Sequence, residues 1–322
     1  MTADAVAGDR TQAALRAAHL YYFQDLTMEA IARELRTSRS SVSRLLSHAR
    51  ASGLVDIRIQ SPAEGGLRLE NELRERFGVT AHLVPVPDQT SDVDRLERVA
   101  LSAARLLPQW FDSNMTLGIA WGSTISAVSR NLVAKPLQNA QIVQLNGAAN
   151  PRTTGVTYAS EILRRFGVAF GARVEEFAVP AFFDDPATKA ALWRERSMRR
   201  VLEIQAKCDL VLVGLGSPFA DVPSHVYIGG YLDRNDYASL RADRVAGDVA
   251  TVFYRIDGTH RDITLNTRAS GPDLAQLRRV PRRIGVVAGL AKLAALRGAL
   301  AGHLLTDVVL DEGLARALLA PS

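Results

Sequence analysis

The sequence predicts a short all-α unit followed by a large α/β domain with a mostly parallel, Rossmann-like sheet. Three observations predict this. The first sixty residues carry helix-period apolar spacing broken by two capping hydroxyls. A polar Pro/Gly stretch, 61–66, then interrupts the pattern. Beyond Val79, short apolar runs alternate with helical stretches, the pattern of strands joined by crossover helices. The expected boundaries are 1–60 for the helical domain, 61–78 for a linker and connecting helix, and 79–322 for the α/β domain.

Composition bounds the function. With 322 residues and 47% hydrophobic residues, the chain is long and apolar enough for about two globular domains. One cysteine, Cys208, excludes an intramolecular disulfide and any multi-cysteine metal centre. Beside Asp209 at the start of an apolar strand, it reads as buried rather than nucleophilic. The six histidines lack metal-ligand spacing, so no metal, cofactor or catalytic residue is expected. No signal peptide and no bilayer-spanning run is present, and the expected setting is cytoplasmic, with no membrane partner. Thirty-nine basic against 34 acidic residues is a small excess. Any nucleic-acid contact must therefore rest on a local basic patch.

In the helical unit, Leu15, Ala18, Tyr22 and Leu26 suggest a first helix over 11–23. Thr27 reads as the N-cap of a second, with Ile31 and Leu35 inward. Arg36-Thr37-Ser38 is a short break, and Ser38 caps a third helix over 39–50. Val42, Leu45 and Leu46 point inward there, and Gly53 stops it. Residues 54–59 alternate like a strand, either a wing-like hairpin or a simple exit strand. Helix, break and helix form a helix-turn-helix pattern, winged if that strand belongs to a hairpin. The third helix turns Arg39, Ser40, Ser41, Ser43 and Arg44 outward. Short hydroxyls allow close backbone approach, and arginine bonds phosphate or guanine edges. Four arginines (Arg36, Arg39, Arg44, Arg50) fall within fifteen residues that contain no acid. The alternative is a three-helix unit with a solvated basic face. It is less attractive, because such a face usually carries Glu and Lys.

Leu67, Leu69, Leu73 and Phe77 then mark an amphipathic helix, either a hinge or dimer element or the first helix of the next domain. Strands are expected over 81–86, 116–119, 141–145, 174–179, 210–213, 249–254 and 283–288. Helices are expected over 93–107, 123–133, 158–166, 188–207 and 289–300.

Three glycine-bearing strand ends stand out. Gly122, Ser123 and Thr124 open a helix, where free N–H groups and two hydroxyls suit a phosphate; ordinary capping by Ser123 is the commoner meaning. The P-loop lysine and the GxGxxG spacing are absent, which argues against nucleoside triphosphates and dinucleotides. Asn146-Gly147 and Gly214-Leu215-Gly216 end two further strands. Together the three suggest one crevice at the carboxyl edge of the sheet. Lys292, one turn into a late helix, either reaches an anion there or is solvated. Asp248 and Asp307 are isolated acids that suit a sugar hydroxyl, a helix cap or a salt bridge.

These residues resemble the SorC family of bacterial sugar-binding transcriptional regulators. The resemblance runs from Leu20-Tyr21-Tyr22 and Ile31-Ala32 through the segment Ser38–Leu46 and Gly53-Leu54-Val55. It continues with Trp121-Gly122-Ser123-Thr124, Gln144–Gly147, Gly214–Ser217, Ala246-Gly247-Asp248 and Asp257-Gly258. It ends with Val287-Ala288-Gly289, Lys292, Ala295–Gly298 and Leu304–Asp307, and covers nearly the whole chain after Ala14. It implies a large domain that is similar in fold to sugar-phosphate isomerases and coenzyme A transferases and serves as a sensor. By resemblance, Thr27, Arg36 and Ser38 join the third helix in binding double-stranded operator DNA. Ser123 and Thr124, with Gly122, meet the effector's phosphate. Asp248 meets sugar hydroxyls, Lys292 pairs with an anionic group, and Asn146, Gly147, Gly214 and Gly216 complete the site. Homodimers or homotetramers are implied. Two departures stand out. Some relatives carry arginine or lysine at Asn146, and a lysine there can bond covalently to its effector. Asparagine forms no Schiff base and neutralises no second phosphate, which disfavours covalent and bisphosphate effectors. Leu290 replaces a second glycine after Gly289.

The reading that follows is a regulator of carbohydrate-metabolism genes, switched by a small phosphorylated sugar. Its rivals are a sugar-phosphate isomerase or transferase with an added DNA-binding domain, and a constitutive DNA-binding scaffold.

Overall fold

The structure is a computed structural model that describes residues 3–22, 24, 26–55, 64–152, 155–218 and 224–321. The chain forms two compact units, Met1–Pro62 and Ala63–Ser322.

The first unit holds α1 (Ala3–Tyr22), α2 (Met28–Glu34) and α3 (Arg39–Ala51). Its core is Ala14, Ala17, Ala18, Leu20, Ile31, Ala32, Val42, Leu46 and Ala49. Small residues dominate the α1 face, which lets α3 pack closely on it. Leu15, counted in the helical spacing, is 52% exposed, and the buried face of α1 is the alanine face that meets α3. Both expected caps are made: Thr27 Oγ1 accepts from Ala30 N–H at 3.2 Å, and Ser38 Oγ from Ser41 N–H at 3.1 Å. Leu54 and Val55 pack against this core outside any strand. The rest of the expected strand, 56–59, lies outside the described residues.

The second unit opens with α4 (Glu64–Phe77), so residues 64–66, read as linker, are helical. Leu73 of α4 is buried, and the helix packs on the first strand and the last helix of this unit. Then follow β1 (Thr80–Val84), α5 (Asp92–Trp110), β2 (Thr116–Ile119), α6 (Ser123–Arg130), β3 (Gln141–Gln144), α7 (Val156–Phe170) and β4 (Arg173–Glu175). Next come α8 (Pro186–Leu192), α9 (Arg196–Gln205), β5 (Leu210–Gly214), α10 (His225–Ile228) and α11 (Arg234–Ala242). The chain ends with β6 (Val245–Val249), β7 (Val252–Arg255), α12 (Leu274–Leu277), β8 (Arg282–Val287), α13 (Leu293–Ala301), β9 (Asp307–Asp311) and α14 (Glu312–Leu319).

Seven strands form one parallel sheet in the order β1-β9-β8-β5-β2-β3-β4. Both faces are covered, so the central strands are apolar throughout rather than alternating. Leu210 and Leu212 face one core layer, Val211 and Val213 the other. From β2 the chain winds outward through β3 to β4. From β5 it winds the opposite way through β8. The adjacent pair β2–β5 is therefore the topological switch point, where α/β sheets open a crevice at the strands' carboxyl ends.

Two expected elements are rearranged, and others are new. Residues 249–254 are not one strand but the turn and second arm of the antiparallel hairpin β6–β7. Its turn residues, Ala250 and Thr251, have φ of 48° and 66°, so no glycine or asparagine marks it in the sequence. The helix expected over 188–207 is broken into α8 and α9, because Trp193 turns in against Phe177 and Phe183. Strand β9 and helix α14 were not expected at all.

Candidate functional site

The crevice at the switch point is assembled from four strand ends and the hairpin. Gly122, Ser123 and Thr124 follow β2, and Asn146 follows β3. Gly214 and Gly216 end β5. The hairpin is tied to that strand end by paired backbone bonds between Gly216 and Asp248, at 2.9 and 3.1 Å. A Cβ at Gly216 would lie 1.6 Å from Asp248 Oδ1, so a larger residue there would displace the Asp248 carboxylate. Two adjoining cavities result, of about 40 and 60 Å³. Ser123, Thr124, Leu215 and Ser224 line both. Asp248 and Asn146 line the first, and Lys292 with the Val286–Gly289 strand end lines the second.

Two opposite charges lie here, Asp248 buried and Lys292 half-buried. Asp248 accepts a short hydrogen bond from the Tyr227 hydroxyl and one from Thr251 N–H at 3.3 Å. Burial raises its pKa, partly offset by the Tyr227 bond and the Lys292 charge. Burial also lowers the Lys292 pKa, against the pull of Asp248. Lys292 Nζ bonds Ser224 Oγ at 2.8 Å. Asn146 is 1% exposed, and its Oδ1 is buried without a hydrogen-bond partner among the described residues. His225, whose pKa burial lowers, lines the first cavity and stacks on Tyr158 at 4.7 Å.

Lys292 sits not one turn into a helix but at the end of a 3₁₀ turn, Leu290–Lys292, that precedes α13. Asp311 holds that turn. It is fully buried at the end of β9; its Oδ2 accepts from Gly289 N–H at 2.7 Å. Its Oδ1 accepts from Arg95 Nη1 and Leu314 N–H, both at 3.0 Å. Sequence reasoning missed Asp311. The signal available was an acid after an apolar run and before a helix, where Asp311 serves as the N-cap of α14. Ser224, His225 and Tyr227 were also missed, because their helix is a single turn and follows no strand directly.

Gly147, expected in the crevice, does not line it. A Cβ would lie 2.3 Å from Val179 O, its N–H donates to Ser270 Oγ at 2.9 Å, and its carbonyl accepts from Trp121 Nε1 at 2.8 Å. It is a packing residue. Asp307 sits at the opposite, amino end of β9, 3.7 Å from His82 and 3.5 Å from Arg282, and takes no part in the crevice. Cys208 is buried, and burial pushes its thiol pKa up to about 12.

In the helical unit, α3 exposes Arg39, Ser40, Ser43, Arg44 and Arg50. Ser41 is half-buried, and its hydroxyl and that of Ser40 lie 2.9 and 2.8 Å from Ser38 Oγ. Arg39 Nε pairs with Glu29 Oε1 at 2.8 Å. Arg36 takes a left-handed conformation, φ 49°, at the turn between α2 and α3. Thr27 and Ser38 are spent partly on capping. Among the described residues no cluster of His, Cys, Asp or Glu could hold a metal ion, and no helix is long and apolar enough to cross a membrane.

A parallel α/β unit with a polar crevice at its switch point, preceded by a three-helix unit with a basic face, defines a ligand-responsive regulator class. The family profile described as "Putative sugar-binding domain" matches residues 61–320. The chain belongs to that family, the SorC-type sugar-binding transcriptional regulators. It is 29% identical to the deoxyribonucleoside regulator of Bacillus subtilis over 313 residues, 96% of this chain and 98% of that one. The full-length sorbitol operon regulator SorC of Klebsiella pneumoniae superposes with a TM-score of 0.83 at 26% identity, covering 96% of this chain and 98% of that one. A domain of a possible sugar-binding transcriptional regulator from Arthrobacter aurescens TC1 is 52% identical, with a TM-score of 0.76, over 81% of this chain and all of that one.

Proposed function

We propose that this protein is a DNA-binding regulator of carbohydrate-metabolism genes whose operator affinity is set by a phosphorylated sugar. One observation carries the sensor half. Ser123, Thr124, Ser224 and Lys292 line one cavity, and it adjoins the cavity that holds Asp248 and Asn146. The first set supplies hydroxyls, a lysine and the N-terminus of α6, which suit a phosphate. The second supplies a carboxylate acceptor and an amide, which suit hydroxyls. Both cavities are smaller than the ~300 Å³ of ordinary ligand sites. Effector entry therefore requires the walls to part, which is how binding selects one conformation over another.

In the helical unit, α2 and α3 act as the helix-turn-helix of a winged domain. Arg39, Arg44, Ser40, Ser41 and Ser43 face the major groove, and Thr27, Arg36 and Ser38 approach the backbone. A homodimer or homotetramer places two such helices on a pseudo-palindromic operator. The domain division is 1–60, 61–78 and 79–322. The protein works in the cytoplasm and as a sensor rather than an enzyme. Asp248, the crevice's buried acid, is engaged by Tyr227 and Thr251, and the relatives are named as regulators.

The test is a thermal-shift screen of phosphorylated sugars and polyols, followed by operator binding with each hit. A hit at 100 times its Kd stabilises by about 2.7 kcal/mol, and Lys292→Ala abolishes the shift. No shift from any sugar phosphate would sink the sensor reading. Turnover of one would revive the isomerase.

A further inference from the structure

A cavity larger than either of the two in the crevice lies outside it. Its volume, about 370 Å³, falls in the ~300–1,000 Å³ range of small-molecule sites. It opens between the α8–α9 pair and the segment from β7 to α12. Trp193, Leu202, Val252 and Leu274 form apolar walls. The Trp193 ring is fixed by Phe177 and Phe183, at 5.5 and 5.4 Å between centroids, so a flat aromatic surface is ready in advance.

One cation stands over that surface. Lys189 Nζ lies 5.8 Å from the Trp193 ring centre and 3.4 Å from the Thr267 carbonyl. Burial lowers its pKa, and no carboxylate among the described residues offsets the loss. A partly desolvated ammonium without an acid is a demand for an anion. The nearest acid on the lining, Asp273, turns one oxygen to its own helix and accepts from Ala275 N–H at 2.8 Å. His260, also on the lining, has a buried Nδ1 with no hydrogen-bond partner among the described residues. The wall therefore combines a rigid ring, a cation with no acid bonded to it among the described residues, and an unused polar atom. The crevice differs, because its lysine faces a carboxylate.

We propose that this cavity is a second small-molecule site, distinct from the crevice, for a planar ring bearing one anionic group. The ring lies on Trp193 and the anion meets Lys189.

The test uses the full chain, calorimetric titration, and two probes of like shape: 2-naphthoate and the uncharged 2-naphthalenemethanol. Naphthoate binds 1:1 at sub-millimolar concentration, and the alcohol binds about tenfold more weakly, as expected for one lost charge-assisted bond. Lys189→Met weakens naphthoate about tenfold and leaves the alcohol unchanged. Gln276→Trp, which fills the rim, removes both, with circular dichroism confirming that it folds. Lys292→Ala changes neither. The proposal is overturned by no binding at about millimolar naphthoate, by equal affinity in Lys189→Met, or by loss in Lys292→Ala. The sugar-phosphate screen reads the crevice separately, so either site can fail alone.

Discussion

The basic helix and the crevice both collect charged side chains, but they hold them in opposite ways. Arg39 and Glu29 form a short pair with 70% and 60% of their side chains exposed. Asp248 is buried and Lys292 half-buried in the crevice, and each is engaged by one hydroxyl, from α10 or the residue before it. Exposed pairs are screened by water and salt and contribute little to folding. Buried ions carry a desolvation cost that only fixed partners offset. The helical unit can thus change its ligand-facing residues at little cost in stability. In the crevice, binding and folding depend on the same atoms.

The comparison is sharpened most by Asp311. Asp311→Asn removes the charge opposite Arg95, whose Nη1 lies 3.0 Å away with only 10% of its side chain exposed. Breaking one side of a buried pair costs about 3–5 kcal/mol, read as a lower urea midpoint at unchanged slope. Arg39→Ala should cost under about 1 kcal/mol in the same assay. Equal losses would erase the distinction between the two regions.

Arg44→Ala has the next largest effect, and it should fall on binding alone. Operator affinity drops by about 1–3 kcal/mol, and Tm stays where it was. If Arg44 meets phosphate, the loss is uniform across operators and the salt dependence falls by about one ion. If it reads a base, the loss is confined to one operator position. A matching fall in Tm would mean that α3 is structural there.

Asp248 gives a pH-dependent contrast. Burial raises its native pKa, so the native state holds this proton more tightly than the unfolded chain does. Stability from this group is full below the unfolded value, near 3.8, and is lost as pH rises through the native one. Asp248→Asn should therefore gain on the wild type with rising pH and lose the advantage as pH falls, while effector binding disappears. A difference that is flat with pH would show that Asp248 does not titrate in the folded range.

The two regions also differ in how far residues alone disclose them. In the helical unit the capping contacts are local: Thr27 to Ala30, Ser38 to Ser41. Caps of that kind are visible three residues apart. The alternation of strands and helices was equally legible, because both sheet faces are buried and the strands are apolar runs. The hairpin turn at Ala250–Thr251 was not, since its left-handed backbone is carried by residues that do not advertise it. The crevice lies between. Ser123, Thr124, Asn146 and Asp248 sit at strand ends that pattern and resemblance both mark. Asp311, Ser224 and Tyr227 act across 21 to 68 residues of chain, through contacts that no spacing rule encodes. Gly147 shows the converse error. A glycine at a strand end looks like room for a ligand, yet here it makes room for the Val179 carbonyl.

The smallest effect tests the exposed side of the comparison. Glu29 occupies the guanidinium of Arg39, the residue proposed to face DNA. A phosphate competes for that same group, so the ion pair opposes binding rather than supporting it. Glu29→Ala should strengthen operator binding about twofold, the value of a few tenths of a kcal/mol typical of an exposed pair. The helix itself loses a similar amount, since Glu29 lies in the first turn of α2, where an acid complements the helix dipole. In Arg39→Ala the same change at Glu29 should do nothing, because the competition has been removed. If Glu29→Ala weakens operator binding, the carboxylate is positioning Arg39 for DNA. The exposed pair would then be preorganised in the manner of the buried one.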